Sequence, residues 1–144
     1  MKKGLTSFLA TLLLLMAAFM PGCTVEAQKS EKSPYEATEL ENVSMQLTEI
    51  TPTGAVLTIT DKNESPFVYS EWFALEKKEG REWFGLHPLI ENYSFFDLGY
   101  RPNQNGKVII EMDWEKLYGK LPKGSYRVLK EAGLQYIAVG FTIG

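Results

Sequence analysis

The sequence predicts an all-β protein, a sandwich of about seven antiparallel strands. Three observations favour this fold class. Apolar and polar residues alternate through most of the chain after residue 41, residues typical of turns interrupt the alternation about every ten positions, and no stretch has the period of a long helix. Strands of this kind bury one face each, so two sheets are expected to share one core.

The first two predicted strands form a hairpin around a turn at residues 51–54. Each strand presents three apolar positions to the core: Val43, Met45 and Leu47, then Ala55, Leu57 and Ile59. A second hairpin is predicted over residues 73–84, with its turn at Glu79-Gly80. Residues 86–101 hold many aromatic side chains without a regular period, and we expect a long connection there that is partly packed on the sheet.

Three more strands are predicted in the last third of the chain. A single helical turn from Trp114 to Tyr118 separates the first of them from the second. The positions that face the core are Val108, Ile110 and Met112, then Tyr126 and Val128, then Ile137, Val139, Phe141 and Ile143. The total is seven strands, which fits one small sandwich domain.

The N-terminus has the order of residues found in a bacterial secretion signal. Lys2 and Lys3 precede a nearly uncharged apolar run that is shorter than the ~20 residues of a membrane-spanning helix. The run ends at Met20-Pro21-Gly22-Cys23, which resembles the bacterial lipobox, in which a cysteine takes a diacylglyceryl group before cleavage. The resemblance implies a lipoprotein signal peptide over residues 1–22 and a lipid attached to Cys23.

Acylation of Cys23 predicts where the mature protein is located. Two or three acyl chains hold a protein durably on a bilayer, so we expect attachment to the extracellular face of the cell membrane. Residues 23–41 are rich in Lys, Glu and Ser and are predicted to form a flexible tether behind the lipidated cysteine, with the globular domain over residues 42–144. Cleavage after Ala27 is the alternative, and it leaves a soluble secreted protein.

The charge balance and the single cysteine exclude several classes of function. Residues 23–144 hold 13 basic against 18 acidic residues, a balance of −5, so the counterion release that drives nucleic-acid binding is not expected. Cys23 is the only cysteine, and its acylation leaves neither a disulfide nor a catalytic thiol. We therefore expect no nucleic-acid partner, and no residues suggest a cofactor.

No catalytic or metal site is predicted. His87, the only histidine, directly precedes a proline, where a packing or surface role is more typical than catalysis. With the cysteine acylated, zinc would find only carboxylates beside this histidine, and residues 61–64 lack the spacing of a calcium loop. Glu91 and Asp97 flank an aromatic stretch, but nothing fixes the separation that a glycosidase needs. The chain is therefore predicted not to be an enzyme.

The candidate ligand-binding residues are aromatic: Trp72, Trp83, Tyr93 and Tyr100. Together with Phe96 and Trp114 they exceed what a small core absorbs, and exposed rings beside carboxylates can stack on sugars or contact a protein partner. Core and edge packing is the alternative role. Trp72 is the favoured candidate because Phe73 and Leu75 assign the core to the opposite parity, so that Trp72 faces outward.

Tyr126 is predicted to have a structural role. It follows Leu121-Pro122-Lys123-Gly124-Ser125 and opens the penultimate strand. A tyrosine there lays its ring on the core and donates a hydrogen bond from its hydroxyl to backbone upstream, the arrangement called a tyrosine corner. Pro122 and Gly124 have the offsets of fibronectin-type domains, whereas Leu121 lies one residue nearer to the tyrosine.

Two runs resemble a group of small bacterial immunoglobulin-like (Ig-like) domains found in Gram-positive lipoproteins. They are residues 73–83 and residues 113–127, the second of which contains Trp-x-x-x-Tyr-Gly-x-Leu-Pro-x-Gly-x-Tyr-Arg. The resemblance extends over residues 42–143. It implies an Ig-like, fibronectin-type sandwich displayed at the cell surface, and it supplies no catalytic residues.

These observations predict a membrane-anchored cell-surface lipoprotein whose Ig-like module binds a ligand without catalysis. Its expected partners are the membrane, through the lipid anchor, and a protein or glycan of the cell envelope. Two alternatives stay open: a carbohydrate- or peptidoglycan-binding module, and an Ig-like proteinase inhibitor.

Overall fold

The structure, a computed structural model, describes residues 29–144. Its elements in chain order are β1 (Lys29–Lys32), β2 (Val43–Thr51), β3 (Gly54–Asp61), β4 (Tyr69–Ser70), β5 (Ala74–Glu79), β6 (Glu82–Leu86), β7 (Gly99–Tyr100), β8 (Lys107–Asp113), α1 (Glu115–Tyr118), β9 (Gly124–Ala132) and β10 (Gln135–Ile143).

Eight strands form two main sheets. The five-stranded sheet has the order β1-β6-β5-β9-β10, and the three-stranded sheet has the order β2-β3-β8. The strand pairs within both sheets are antiparallel, and β4 pairs with β7 separately. The predicted all-β sandwich is confirmed. Its seven longer strands coincide with the predicted ones, whereas the short strands β1, β4 and β7 were not predicted.

The core lies between the two main sheets. Leu57 from β3 faces Leu75 and Val128, which are opposite each other in the register of β5 and β9, and all three are fully buried. Trp114 closes one end of this core, and its indole nitrogen Nε1 donates a hydrogen bond to Pro52 O at 3.0 Å. The alternation in the sequence therefore selects the inward faces correctly.

Residues 29–38, which we call the strap, pack against the five-stranded sheet. β1 pairs with β6 at one edge of the sheet. Ala37 forms a parallel bridge with Tyr136 of β10, and Thr38 N donates to Tyr136 O at 2.8 Å. The prediction of a flexible tether over residues 23–41 is therefore wrong from residue 29 onward. The strap is held largely through backbone groups. Because side-chain composition does not reveal such contacts, the polar sequence predicts a free chain here.

The strap covers the outer face of the five-stranded sheet. Glu76 on β5 and Leu129 on β9 point away from the core because they alternate with Leu75 and Val128. Both are nevertheless fully buried. The chain runs from the β6 edge to the β10 edge of this sheet and so lies across β5 and β9. The sheet is consequently covered on both faces.

The predicted signal peptide over residues 1–22 and the predicted lipid attachment at Cys23 lie outside the described residues. From residue 29 to residue 144, no helix combines the length and the apolar character needed to cross a bilayer.

Candidate functional site

A groove opens where β6 separates from β5. The last paired positions of these strands toward this end are Glu76 and Gly85, after which β6 ends at Leu86 and the chain turns away into residues 87–98. The strap borders the groove on one side, and this connection borders it on the other. Its volume is about 850 Å³. Typical ligand sites span ~300–1,000 Å³, so the groove has the size of a binding site.

Three aromatic rings pack together on the strap side of the groove. The ring of Tyr35 lies 5.7 Å from Trp72 and 4.7 Å from Tyr136, and the rings of Trp72 and Tyr136 lie 5.7 Å apart. Tyr35 N donates to Ser33 Oγ at 3.0 Å, which shapes the strap at this point. Each ring contacts the other two, so Trp72 is held half-buried rather than projecting into solvent.

Four aromatic rings form the opposite wall. Phe73 lies 5.4 Å from Phe95 and 6.1 Å from Tyr118, and Phe95 lies 5.0 Å from Tyr93. These contacts are close to edge-on, which is a favourable geometry for aromatic pairs. Tyr93 is 41% exposed, whereas Tyr118 is buried. The wall therefore combines fixed rings with one ring that a ligand can reach from solvent.

Glu76 contributes a carboxylate to the lining of the groove. Arg127 lies opposite it in the register of β5 and β9, and Arg127 Nε donates to Glu76 Oε2 at 2.5 Å. The other oxygen, Glu76 Oε1, is buried and has no hydrogen-bond partner among the described residues. A buried acceptor left unpaired costs about 1–3 kcal/mol. This oxygen has almost no accessible surface, so it is closed to a ligand in the groove.

The hydroxyls of Tyr35 and Tyr118 remain protonated near neutral pH. Burial, the largest cause, raises the pKa of Tyr118 to about 12. Burial also raises the pKa of Tyr35, followed by the electrostatic effects of Tyr136 and of nearby carboxylates. Both hydroxyls are therefore neutral groups that can donate a hydrogen bond.

The polar groups of the groove do not resemble a catalytic or metal centre. His87 is exposed and lies in the lining. Over residues 29–144, no three His, Cys, Asp or Glu side chains are grouped so as to hold a metal ion. Apolar rings with a few polar groups are the usual composition of a binding pocket. The arrangement supports binding better than chemistry.

Two of the four candidate ligand-binding residues meet in the groove, and two do not. Trp72 and Tyr93 belong to its lining, on opposite walls. Trp83 and Tyr100 are outside the lining. Strand parity predicts that Trp72 lies on the face opposite to Leu75. The strap covers that face, and strand parity does not predict this cover.

Two cationic side chains of the same sheet contact the ring of Trp83. The guanidinium carbon of Arg127 lies 4.6 Å from the ring centroid, and Lys78 Nζ lies 5.6 Å from it. Both distances are within the range of cation–π contacts. The ring of Trp83 is therefore already in contact with side chains from β5 and from β9, the strand beyond it.

Tyr100 lines a second, smaller cavity of about 170 Å³ beside the core. Its hydroxyl donates to Glu71 Oε1 at 3.1 Å. Lys130 lines the same cavity, and its Nζ donates to Ser70 O and, at 2.7 Å, to Trp72 O. Burial lowers the pKa of Lys130 to about 8. This lysine fixes the chain that leads from β4 into β5 and so positions Trp72.

Tyr126 has the geometry of a tyrosine corner. Its side chain is buried, and its hydroxyl donates to Pro122 O at 2.7 Å. The ring stacks on Phe141 of β10 with centroids 5.5 Å apart. The residue therefore ties the chain before β9 to the core, at a distance from the groove.

Two groove residues were not identified from the sequence, and for different reasons. Tyr35 fell within the predicted tether, although a single aromatic residue directly after Ser33-Pro34 in a polar stretch was a signal that the chain packs there. Glu76 alternates with core residues, and no local pattern shows that the face it occupies is covered. Both depend on the strap, which local patterns do not predict.

The comparison with protein families finds a matching family. A family model described as a bacterial Ig-like domain matches residues 39–142, which is more than half of the chain. The matched range includes both candidate residues of the groove, Trp72 and Tyr93, whereas Tyr35 precedes it. No curated protein and no solved structure matches the chain.

Proposed function

Because this chain belongs to the bacterial Ig-like domain family, we propose that it is a non-catalytic binding module whose ligand is held in the groove between the strap and residues 87–98. The groove itself carries this proposal. It has a volume of about 850 Å³, aromatic rings form its walls, and exposed polar side chains are part of its lining. Residues of this kind recognise a ligand by stacking and hydrogen bonding.

The chemistry of the lining indicates what such a ligand offers. The rings of Trp72 and Tyr93, on opposite walls, favour a flat or apolar body between them. The exposed side chains of Glu91 and Asn92 in the lining favour hydrogen-bonding groups on that body. A side chain or backbone segment of an envelope protein supplies both features, and this partner class is the one we favour.

The test compares two exposed aromatic residues of the same connection. Tyr93→Ala removes a ring from the groove, whereas Phe96→Ala removes a ring that is 75% exposed and outside the lining. The full chain and both variants are immobilised and incubated with fractionated envelope extract. We expect the wild type and Phe96→Ala to retain the same component and Tyr93→Ala to lose it. Equal retention by all three proteins would exclude the groove as the binding site.

A second proposal concerns the location of the domain. Lipidation of Cys23 would hold it on the outer face of the cell membrane, and the support is the order Lys2-Lys3, apolar run and Gly22-Cys23. Mass spectrometry of the N-terminal peptide tests it. We expect an acylated peptide that begins at Cys23, and an unmodified peptide that begins at Gln28 would instead support secretion in soluble form.

Carbohydrate binding is the second candidate function. It is favoured by Tyr93, an exposed ring whose neighbours Glu91 and Asn92 also line the groove and offer an acceptor and an amide. This function predicts that the protein sediments with purified cell wall and that Trp72→Ala and Tyr93→Ala abolish the effect. A protein that stays in the supernatant with cell wall would leave the envelope-protein partner as the better proposal.

A further inference from the structure

The strap enters the domain at one identifiable end of the five-stranded sheet. Lys29 lies opposite Leu86 in the β1–β6 pair, and the β9–β10 turn brings Ala132 opposite Gln135. Because neighbouring strands of this sheet are antiparallel, Lys29, Leu86 and the turn residue Leu134 all lie at the same end. We call it the entry end.

The entry end carries exposed apolar side chains. Leu134, at the tip of the β9–β10 turn, is 102% exposed, Leu98 is 52% exposed and Val68 is 45% exposed. We call these three residues the end patch.

Close backbone approaches link the segments of the end patch. A methyl group placed on Gly99, next to Leu98, would lie 2.7 Å from Val68 Cγ1. A methyl group on Gly133, next to Leu134, would lie 3.2 Å from the ring of Phe67, the neighbour of Val68. The three side chains therefore belong to adjoining segments, and exposed apolar side chains grouped at one end of a domain are able to contact a membrane.

Few residues separate Cys23 from the entry end. Only residues 24–28 separate Cys23 from Lys29. At ~3.3–3.6 Å per residue, this segment spans at most about 20 Å when fully extended. The nine residues of β10 alone extend about 30 Å at ~3.3 Å per residue, so the domain is longer than its link to Cys23.

We propose that the entry end rests on the outer leaflet of the membrane, with the end patch in contact with the boundary between lipid headgroups and acyl chains. The inference rests on the proposed lipidation of Cys23, and it adds an orientation to it. β1 begins at the entry end with Lys29, so a lipid on Cys23, a few residues earlier, would hold this end close to the bilayer. The patch is uncharged, so the contact depends on apolar burial and not on anionic lipid.

The experiment uses the acylated full chain, purified from bacterial membranes and reconstituted in vesicles. One fluorescent probe is attached at Gln135→Cys, beside the end patch, and another at Arg81→Cys, in the β5–β6 turn at the opposite end; both positions are exposed. Lipids with a nitroxide in the headgroup quench a probe that lies close to the bilayer. We expect the probe at position 135 to lose most of its fluorescence and the probe at position 81 to retain it. The result should be the same with phosphatidylcholine alone and with added phosphatidylglycerol.

Surface variants test whether the end patch makes the contact. In protein labelled at position 135, Leu134→Asp should restore much of the fluorescence, because a charge is costly at this depth. Ile109→Asp is the matched control, since Ile109 is 61% exposed but lies on β8 of the other sheet, and it should leave the quenching unchanged. Leu134 and Ile109 are both exposed, so neither substitution removes a core contact.

The outcomes separate this inference from the proposals on which it depends. Protein that does not float with vesicles would show that Cys23 holds no lipid, and it would overturn both the anchor and the orientation. Protein that floats but is quenched equally at positions 135 and 81 would overturn the orientation alone. Loss of quenching in both Leu134→Asp and Ile109→Asp would assign the contact to the overall charge and not to the end patch. The groove also opens at the entry end, where β6 ends at Leu86, so this orientation places the groove beside the bilayer. The Tyr93→Ala comparison uses extract without vesicles and therefore tests ligand binding separately.

Discussion

Replacing Arg127 by Met should destabilise the domain more than any ordinary surface change. The guanidinium pairs with Glu76 Oε2 at 2.5 Å, and the side chains of Arg127 and Glu76 are only 12% and 1% exposed. Removing one partner of a buried pair leaves an uncompensated charge and costs about 3–5 kcal/mol. Loss of the contact with Trp83 adds ~0.5–1 kcal/mol. Domains of this size are stable by about 5–15 kcal/mol, so the variant should still fold in the cold.

Urea unfolding followed by tryptophan fluorescence measures this loss, and a double variant identifies its origin. Glu76→Gln combined with Arg127→Met removes both charges, so we expect it to be more stable than Arg127→Met alone. Lys78→Met is the matched control, because Lys78 also contacts Trp83 but is exposed, and it should cost less than about 1 kcal/mol. Two results together would refute the claim that the strap buries this ion pair: a decrease in the free energy of unfolding below about 1 kcal/mol for Arg127→Met, and a further decrease in the double variant.

Two further predictions concern other parts of the fold. Tyr126→Phe removes the hydrogen bond to Pro122 O, and it should lower the free energy of unfolding by about 1–3 kcal/mol, measured by urea unfolding. Burial lowers the pKa of Lys130 to about 8, whereas the unfolded chain keeps this proton up to about 10.5, so the unfolded state binds more protons in between. Tyrosines whose pKa burial raises, such as Tyr118, act in the opposite direction near pH 10, so the effect of Lys130 is read from the difference between wild type and Lys130→Met. This difference should shift by about 2–3 kcal/mol in favour of the wild type between pH 8 and pH 10.

Each of these two predictions has its own control. Tyr93→Phe removes a hydroxyl from an exposed ring and should change stability by less than about 0.5 kcal/mol. If Tyr126→Phe were equally neutral, the hydroxyl would have no role in fixing the chain before β9. For Lys130, a difference in stability between wild type and Lys130→Met that stays constant from pH 8 to pH 10 would show that its ammonium group remains charged in the folded protein.

Local alternation predicts the faces of strands but not what covers them. The inward positions Leu57, Leu75 and Val128 follow from period two, and the structure buries all three. The same period puts Glu76 on the outer face, where solvent is the natural expectation. Glu76 is buried because a segment more than thirty residues earlier crosses that face, and the segment is held by backbone pairing. Polar composition carries no information about such pairing, which explains why the groove could not be predicted.

The short strands and the long connection were unpredictable for a related reason. β4 and β7 have two residues each, too few to show a period, and they form through tertiary contact. Residues 86–101 were expected to be an aromatic connection partly packed on the sheet, and the rings of Tyr93 and Phe95 do pack toward Phe73. The aromatic content of this wall can be read from the sequence, whereas the position of the groove depends on where β6 ends and on the path of the strap.

The position of the strap makes the ligand-binding proposal independent of the lipidation proposal. It begins at residue 29, so processing at Cys23 and processing after Ala27 both leave it intact. The groove, whose strap-side wall contains Tyr35, is therefore expected in either product, and without a bilayer both products should bind the same ligand. The orientation of the entry end, in contrast, has meaning only when Cys23 carries a lipid. Equal ligand binding by detergent-solubilised acylated protein and by a Cys23→Ser variant, combined with vesicle flotation of the acylated form alone, is the result that this separation requires.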